Sequence, residues 1–332
     1  MHGLLAAIRP GPAAFSAEAG AAFTSMGTGM EIRAWGGRAR RALRAVRAEA
    51  GRLERLFSRF LPESDVARLN RAAGAGWVRV APETYEVLSL AREVWAKSGG
   101  AFDVTVGPLM DLWDFPHATQ PPDPERVLAL LPFVNGGGLL LDPNGPRAFL
   151  QNPGQRADLG GVGKGWAADR YIRIIREHGC ASAFVNIGGN VALLGGRPGG
   201  GPWRVGIRHP RIPGALLGAM EAVDCAVVTS GDYERRFTDA QGRAYHHILD
   251  PAAGCPADAG LVSVTVAAAS SALVDALATA AFVMGMGKGV RLLEQYPGTE
   301  AIFVDRNLTA FPTRGLAGRF TAAQGTLCAA PD

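Results

Sequence analysis

Two oxygen-bearing side chains, Asp275 and Thr279, lie four residues apart in the apolar segment Ser271–Met284. Residues at this spacing share one face of a helix, and an unpaired carboxylate on an apolar face is costly to bury. A hard cation such as magnesium would compensate the charge, because it takes oxygen ligands from carboxylates, hydroxyls and backbone carbonyls. An Asp favoured by the helix dipole and a Thr bonded to its own backbone would give the same pattern. The two residues alone therefore do not distinguish a metal site from a helix with a purely structural role.

A glycine-rich turn, Asp158-Leu-Gly-Gly-Val-Gly-Lys164-Gly165, stands at the start of another predicted helix. It is not a Walker loop, because Asp158 replaces the first glycine and Gly165 replaces the Ser or Thr that binds magnesium. The looser dinucleotide pattern G-x-G-x-x-A fits residues 163–168, but no ribose-binding acid follows near Val185. Glycines at a helix N-terminus favour binding of a phosphate-bearing ligand. A purely structural turn, in which Asp158 caps the helix and the glycines allow the turn geometry, explains the sequence equally well.

A histidine pair, His246-His247, lies shortly before the turn at Asp250-Pro251. No third ligand stands at a suitable spacing for zinc, and chain order alone does not support a Ser-His-Asp arrangement. A structural role is the ordinary interpretation of such a pair.

A chain of mixed helices and strands must position these residues. Residues 1–22 are rich in Ala and Gly without periodicity and predict a loose leader, so order is expected from Phe23. Helices are predicted at 38–59, from Pro82 to the Gly99-Gly100 stop, at 164–178 and at 271–284, with strands between them. Gly- and Pro-rich stretches between 115 and 146 predict turns that separate short hairpins. Grouped strands with inserted helices indicate an α+β body at 23–320, followed by a tail at 321–332.

The composition excludes several classes of protein. With 48% hydrophobic and 19% charged residues, the chain of 332 residues is neither disordered nor fibrous, and no stretch approaches the roughly 20 apolar residues of a membrane span. Much of the positive charge lies between the apolar positions of the helix at 38–59, so nucleic-acid binding is not predicted. The four cysteines form no C-x-x-C pair.

The first residues carry no recognisable export signal. No Lys or Arg precedes Arg9, and the apolar run at 4–8 is short for a signal-peptide core. We therefore expect either a cytoplasmic protein or a true start upstream of the present one.

Eight segments, in order from about Met26 to Phe311, resemble the flavin transferase family known as ApbE. They are Met26-Gly-Thr28, Ser64-Asp-Val-Ala-Arg-Leu-Asn70, Ser98-Gly-Gly-Ala101-Phe102-Asp103-Val-Thr-Val-Gly107-Pro108 with Leu112-Trp113, the glycine-rich turn at 158–165, Asn186-Ile-Gly188-Gly189, Thr229-Ser230-Gly231-Asp232-Tyr233, His247-Ile-Leu249-Asp250-Pro251, and Asp275 to Thr279. The resemblance covers most of the chain. It implies an ApbE-like α+β fold, related to the T-fold, with mixed sheets and a flavin cleft between two lobes.

The resemblance also implies a magnesium-dependent reaction that splits FAD, attaches the FMN half through a phosphoester bond to Thr or Ser of another protein, and releases AMP. It places the metal at Asp275 and Thr279, with the carbonyls of Gly161 and Ala278 as further ligands. The acceptor hydroxyl needs a base, for which His247 is the first candidate and Asp275 the second. The implied FAD contacts are Met26, Phe60, Ala101, Phe102, Asp103, Asp158, Lys164 and Leu249, with Phe60 in place of a Tyr often found there.

The partner that the resemblance implies is an acceptor flavoprotein, either a subunit of a membrane redox complex or an extracytoplasmic flavoprotein, and the implied location is periplasmic or membrane-associated. Two other functions stay open. A FAD-binding protein or FAD pyrophosphatase would use the same residues, since water can replace the acceptor hydroxyl. A nicotinamide-dependent oxidoreductase would rest on the glycine pattern at 163–168, and the absent ribose-binding acid counts against it.

Overall fold

The computed structural model describes residues 18–329. Within this range the helices are α1 (Ala39–Phe57), α2 (Asp65–Arg71), α3 (Pro82–Lys97), α4 (Gly107–Trp113), α5 (Pro124–Leu130), α6 (Gly163–Glu177), α7 (Ser271–Met284) and α8 (Met286–Leu293). The strands are β1 (Glu18–Ser25), β2 (Thr28–Trp35), β3 (Val78–Arg79), β4 (Leu139–Leu141), β5 (Arg147–Leu150), β6 (Ser182–Ile187), β7 (Asn190–Leu194), β8 (Trp203–Arg208), β9 (Leu216–Ala222), β10 (Ala226–Gly231), β11 (Arg236–Thr238), β12 (Ala244–His246), β13 (Leu249–Asp250), β14 (Cys255–Pro256), β15 (Leu261–Ala268), β16 (Glu300–Asp305), β17 (Ala310–Pro312) and β18 (Phe320–Ala322).

A large antiparallel sheet with the strand order β1-β2-β6-β7-β10-β15-β16-β17 forms the centre of the molecule. Side chains alternate across each strand, so the sheet contributes to two hydrophobic layers. Val228 and Val266 pack towards helices α1, α6 and α7, whereas Val227 and Val262 pack towards the small sheet β18-β9-β8. Antiparallel sheets with helices packed on them confirm the predicted α+β class.

The N-terminus of α7, the helix that carries Asp275 and Thr279, is held by α6. The Asp169 carboxylate accepts hydrogen bonds from Ser271 N at 2.8 Å, from Ala272 N at 3.0 Å and from Ser270 Oγ at 2.9 Å. The first N–H groups of a helix have no partner within it, so this carboxylate satisfies donors that burial would otherwise leave unpaired. Helix α6 therefore fixes the position at which α7 begins.

Gly165 allows α6 and α7 to approach each other closely. A Cβ atom at this position would lie 2.2 Å from Ser271 O, a backbone atom of the facing helix. Helix packing thus requires this glycine, whatever ligand the turn binds. The glycine pattern at 163–168 consequently has a structural cause that needs no nicotinamide dinucleotide.

The region between 103 and 157 differs from the predicted series of hairpins. Only β4 and β5 pair as a hairpin, with the turn at 142–146, and β3 pairs with the other edge of β5. The rest forms α4 and α5, which both have Pro in the first turn, where the missing N–H costs no hydrogen bond. Helix α4 is fixed by Trp113, whose Nε1 donates to Gly254 O at 2.8 Å and whose ring packs against Phe115 and Phe237. Those partners include residues distant in sequence, which a local pattern does not show.

The ordered body also extends beyond the boundaries expected from the sequence. Strand β1 begins at Glu18, ahead of Phe23, because it pairs along its whole length with β2; residues 1–17 of the expected leader lie outside the described residues. Strand β18 pairs with β9, and the backbone of Cys328 forms an isolated β-bridge with that of Ala310. Much of the expected tail at 321–332 therefore contacts the body. Within 18–329, no helix combines the length and the apolar character that crossing a membrane requires.

Candidate active site

A cavity of about 270 Å³ lies where strand ends of the large sheet meet the glycine-rich turn, α7 and the segments around 103 and 248. Its wall includes most of the residues singled out from the sequence, namely Ala101, Phe102, Asp103, Asp158, Gly161, Lys164, His247, Leu249, Asp275 and Thr279. Chain segments distant in sequence thus converge on one concave site, which is the candidate active site.

Asp275 faces the glycine-rich turn across this cavity. Its Oδ2 atom accepts a hydrogen bond from Gly165 N at 3.0 Å and lies 3.8 Å from Lys164 Nζ. Lys164 Nζ also donates to Gly160 O. The residue is only 4% exposed, and its Oδ1 atom accepts no hydrogen bond from the residues between 18 and 329. One oxygen of a buried carboxylate is therefore left to bind a ligand.

Further oxygen atoms surround this carboxylate. Thr279 Oγ1 lies 3.3 Å from Asp275 O and 3.3 Å from Ser230 Oγ. Gly161 lies opposite, since a Cβ atom built on it would be 3.7 Å from Thr279 Oγ1. A carboxylate, two hydroxyls and the backbone of the turn form a set of donors that suits a hard cation. The described part of the chain has no group of three or more His, Cys, Asp or Glu that could hold a metal, so hydroxyl and carbonyl oxygens would have to complete the shell.

Ala278, expected to supply a carbonyl ligand, is fully buried in α7 and is not part of the cavity wall. Asp275, Thr279 and Gly161 line the cavity together, and Ala278 directly precedes Thr279 in α7 without lining the cavity.

Asp158 anchors the glycine-rich turn to the neighbouring loops. Its Oδ1 atom accepts a hydrogen bond from Gly160 N at 2.7 Å, and its Oδ2 atom pairs with Arg59 Nε at 2.9 Å. Arg59 also pairs with Asp111, which pairs in turn with Arg156. The carboxylate therefore shapes the turn and ties it to α4 and to the segment after α1.

Phe102 and Asp103 form the part of the wall that adjoins the turn. The Phe102 ring is buried and would lie 3.0 Å from a Cβ atom on Gly161. Asp103 Oδ1 accepts hydrogen bonds from Thr105 N and Thr105 Oγ1 at 2.7 and 2.6 Å, and Asp103 Oδ2 accepts one from Gly136 N at 2.7 Å. Burial raises the pKa of Asp103, although these hydrogen bonds oppose the shift. The protein itself thus satisfies this carboxylate, which fixes the loop that presents Phe102.

The two histidines point in different directions. His246 Nε2 lies 3.1 Å from Ala257 O, and its ring packs edge-on against Phe282 in the core. His247 lines the cavity, and its Nδ1 atom is buried without a hydrogen-bond partner among the described residues. Burial, together with the positive charges of Arg235 and Lys164, lowers the pKa of His247 to about 3. His247 is therefore neutral at neutral pH.

Three expected flavin contacts differ in their positions. Leu249 is buried on the cavity wall. Met26 lies outside the wall, in the β1–β2 turn with a φ of 52°, and its N–H donates to Glu54 Oε1 at 3.0 Å. Phe60 also lies outside the wall; it is 76% exposed, and its ring centroid is 4.4 Å from the Arg59 guanidinium. The structure thus brings Leu249 to the cavity and leaves Met26 and Phe60 beside it.

Ser230 and Arg235 are among the wall residues to which the sequence assigned no role. Ser230 belongs to the segment Thr229–Tyr233 that carried the family resemblance, and its contact with Thr279 follows from the position of β10 beside α7. Arg235 follows in the same loop and lines the cavity beside His247. Neither residue lies in a spacing pattern that predicts a ligand, so only the resemblance of the neighbouring segment pointed towards them.

Comparison with known proteins gives the same assignment over nearly the whole described body. The model of the ApbE family matches residues 26–303. The FAD:protein FMN transferase of Klebsiella pneumoniae (strain 342) is 36% identical over 258 residues, which cover 77% of this chain and 79% of that protein. The protein of the same name from Treponema pallidum (strain Nichols) is 36% identical over 269 residues, covering 76% and 73%.

Solved structures agree with these relatives. The ApbE protein of Thermotoga maritima superposes with a TM-score of 0.79 at 31% identity and covers 93% of this chain and 97% of its own. The apo form of the flavinyl transferase ApbE of Pseudomonas stutzeri gives a TM-score of 0.79 at 30% identity, with 92% and 98% covered. In sequence and in fold, this chain belongs to the ApbE family.

Proposed function

We propose that this protein is a FAD:protein FMN transferase, which moves the FMN half of FAD to a Thr or Ser hydroxyl of an acceptor flavoprotein and releases AMP. The observation that carries the proposal is the meeting of Asp275 and Thr279 with the glycine-rich turn and Lys164 across one cavity, in a chain whose relatives bear this name. Breaking a diphosphate requires neutralisation of the negative charge on its oxygens. This side of the cavity has oxygen atoms of Asp275 and Thr279 that can bind a metal cation, and it also carries the positive charge of Lys164.

Magnesium is the cation that fits this donor set. Asp275 and Thr279 would hold it, with the Gly161 and Ala278 carbonyls as further ligands. The open Oδ1 atom of the buried Asp275 supports the assignment. When bound, the ion would neutralise negative charge on the phosphate oxygens and orient the diphosphate.

His247 is proposed as the base that takes the proton of the acceptor hydroxyl, with Asp275 as the second candidate. The neutral imidazole and its position on the cavity wall support His247. A pKa of about 3 makes a weak base, but the negative charge of a bound diphosphate would raise it towards the range in which proton transfer is efficient.

The FAD contacts are proposed to be Ala101, Phe102, Asp103, Asp158, Lys164 and Leu249 on the cavity wall, together with Met26 and Phe60 beside it. Because the Phe60 ring packs on Arg59, its contact with flavin would require a change of side-chain position. The acceptor is proposed to be a subunit of a membrane redox complex or an extracytoplasmic flavoprotein, recognised through the segment around its Thr or Ser.

The proposal is tested by incubating the protein with FAD, magnesium and candidate acceptor flavoproteins. A transferase adds the mass of FMN to the acceptor and releases AMP, both of which mass spectrometry and chromatography detect. Free FMN and AMP without an acceptor adduct would indicate a FAD pyrophosphatase, and neither product would contradict both enzymes.

Asp275→Asn keeps the hydrogen bond with Gly165 N but removes the negative charge. We expect it to lower magnesium-dependent product formation by at least about a hundredfold, because the proposed metal loses its charged ligand. Asp258→Asn, at an exposed carboxylate paired with Arg306, is the matched control and should act like the wild type. Equal activity of the two variants would show that the metal does not bind at Asp275.

A further inference from the structure

Arg235 lies in the loop that joins β10 to β11 and lines the cavity. Its carbonyl oxygen accepts a hydrogen bond from His247 N at 3.0 Å, which places the two residues side by side. The positive charge of Arg235 also contributes to the lowered pKa of His247, as expected for a guanidinium close to the imidazole. Arg235 is thus a neighbour of the proposed base on the same wall.

The loop that carries Arg235 is held from outside by two other arginines. Arg211 donates to both carboxylate oxygens of Asp232 at 2.7 Å each, a bidentate geometry that fixes orientation. Arg208, at the end of β8, pairs with Glu234. The two acidic residues of this loop, Asp232 and Glu234, therefore have arginine partners of their own, and neither is paired with Arg235.

On this wall Arg235, an exposed residue, has no partner of opposite charge among the described residues. Asp158 is paired with Arg59, Glu234 with Arg208, and Lys164 lies near Asp275. The carboxylate of Asp103 is held by backbone and hydroxyl donors. Among residues 18–329, Arg235 makes no ion pair and no side-chain hydrogen bond, although an acid from the same loop is at hand.

We infer that Arg235 is a substrate-binding residue that donates hydrogen bonds to the diphosphate of FAD. The inference rests on the proposed function, because it takes FAD as the ligand of the cavity. A guanidinium carries five N–H donors in a planar fork, stays charged at all relevant pH values and matches the geometry of phosphate oxygens. Lys164 and Arg235 would then bind the diphosphate from two segments of the wall, and Arg235 would favour ligands that carry phosphate.

The test compares Arg235→Ala and Arg235→Lys with Arg236→Ala. Arg236 is the adjacent, exposed residue of β11 and lies outside the cavity wall, so its variant removes the same charge from the same segment. Equilibrium binding of FAD and of riboflavin, which has no phosphate, is measured by flavin fluorescence in excess magnesium. Circular dichroism checks that each variant is folded.

We expect Arg235→Ala to weaken FAD binding by about tenfold to a hundredfold, the cost of losing hydrogen bonds to a charged group, and to leave riboflavin binding unchanged. Arg235→Lys should recover part of the loss, and Arg236→Ala should bind both ligands as the wild type does.

Equal FAD affinity of Arg235→Ala and Arg236→Ala would overturn the inference. So would an equal loss of FAD and riboflavin affinity in Arg235→Ala, because it would indicate a distorted loop rather than a lost phosphate contact. If the wild type binds no FAD, the result contradicts both the proposed function and this inference. FAD binding by the wild type with no specific effect of Arg235→Ala leaves the proposed function standing.

Discussion

The polar side chains of the cavity divide into those that the protein already satisfies and those that it leaves open. Asp103 and Asp158 accept hydrogen bonds from backbone N–H groups and shape the loops that bear them. Asp275 Oδ1, His247 Nδ1 and the Arg235 guanidinium lack such partners in the described residues. Asp275 is buried on the cavity wall, and buried polar groups are nearly always paired in folded proteins, so its open oxygen indicates where a ligand binds.

His247 should make the stability of the protein depend on pH. Its pKa is about 3 in the folded state and 6.5 in an ordinary environment, so unfolding takes up a proton between these values. The wild type therefore loses stability as the pH falls from about 6.5 towards about 3, and His247→Gln lacks this contribution. Urea unfolding at about pH 7 and about pH 4.5 should show the difference in unfolding free energy moving in favour of the variant at the lower pH. A difference that stays constant would contradict a depressed pKa.

At the scale of elements, the site depends on the junction of α6 and α7. Helix α6 begins at the glycine-rich turn and provides Lys164, and α7 provides Asp275 and Thr279. The Asp169 carboxylate and the hydrogen bond from Gly165 N to Asp275 join the two helices. Relative movement of these helices would consequently separate the lysine from the carboxylate.

Gly165→Ala tests this junction. The added Cβ atom would meet Ser271 O at 2.2 Å, so the helices must separate. We expect a loss of about 1–3 kcal/mol in unfolding free energy, as for other overpacked sites, accompanied by weaker FAD binding. Gly51→Ala in α1 is the control, because its Cβ atom would find only the Arg55 side chain at 3.6 Å. That variant should gain about 0.5–1 kcal/mol, since Ala favours a helix over Gly. Urea unfolding measures both, and equal effects would contradict the proposed clash.

At the scale of the whole molecule, the large sheet is shared by two hydrophobic layers. Val264 packs towards the helices and Val227 towards the small sheet β18-β9-β8. Trp166 lies against the first layer, while Trp35 and Trp203 lie in the second, where their rings are 5.6 Å apart. A substitution that destabilises one layer should therefore also destabilise the other layer, because the two layers share the same strands.

Val227→Ala and Val264→Ala test whether the layers unfold together. Each variant should lose about 1–3 kcal/mol of unfolding free energy through lost apolar contacts and the cavity left behind. Tryptophan fluorescence and far-ultraviolet circular dichroism should report one shared midpoint in urea for each variant. The exposed Val223→Ala is the control and should unfold as the wild type does. Separate midpoints for the two probes would contradict a single unfolding transition shared by both layers.

Prediction from sequence succeeded where both ends of an element carry local signals. Helix α7 was predicted with the bounds it has, because Ser270 caps its first turn and Gly285 follows its last residue. Helices α4 and α5 were missed, since their Gly and Pro residues resemble turns and their stability depends on distant contacts such as Trp113 with Gly254. At the site, spacing paired Asp275 with Thr279, whereas their approach to the glycine-rich turn depends on how α6 crosses α7. Local patterns do not encode that crossing.

The Asp169 contact has a consequence for how the enzyme would fail on heating. Because one carboxylate secures the first turn of α7, its loss would free the start of the helix that bears Asp275 and Thr279. Local fraying there would disorder the face that carries Asp275 and Thr279 before the strands beneath it unfold. Thermal inactivation should accordingly precede global denaturation, and magnesium with FAD should postpone inactivation by favouring the docked helix.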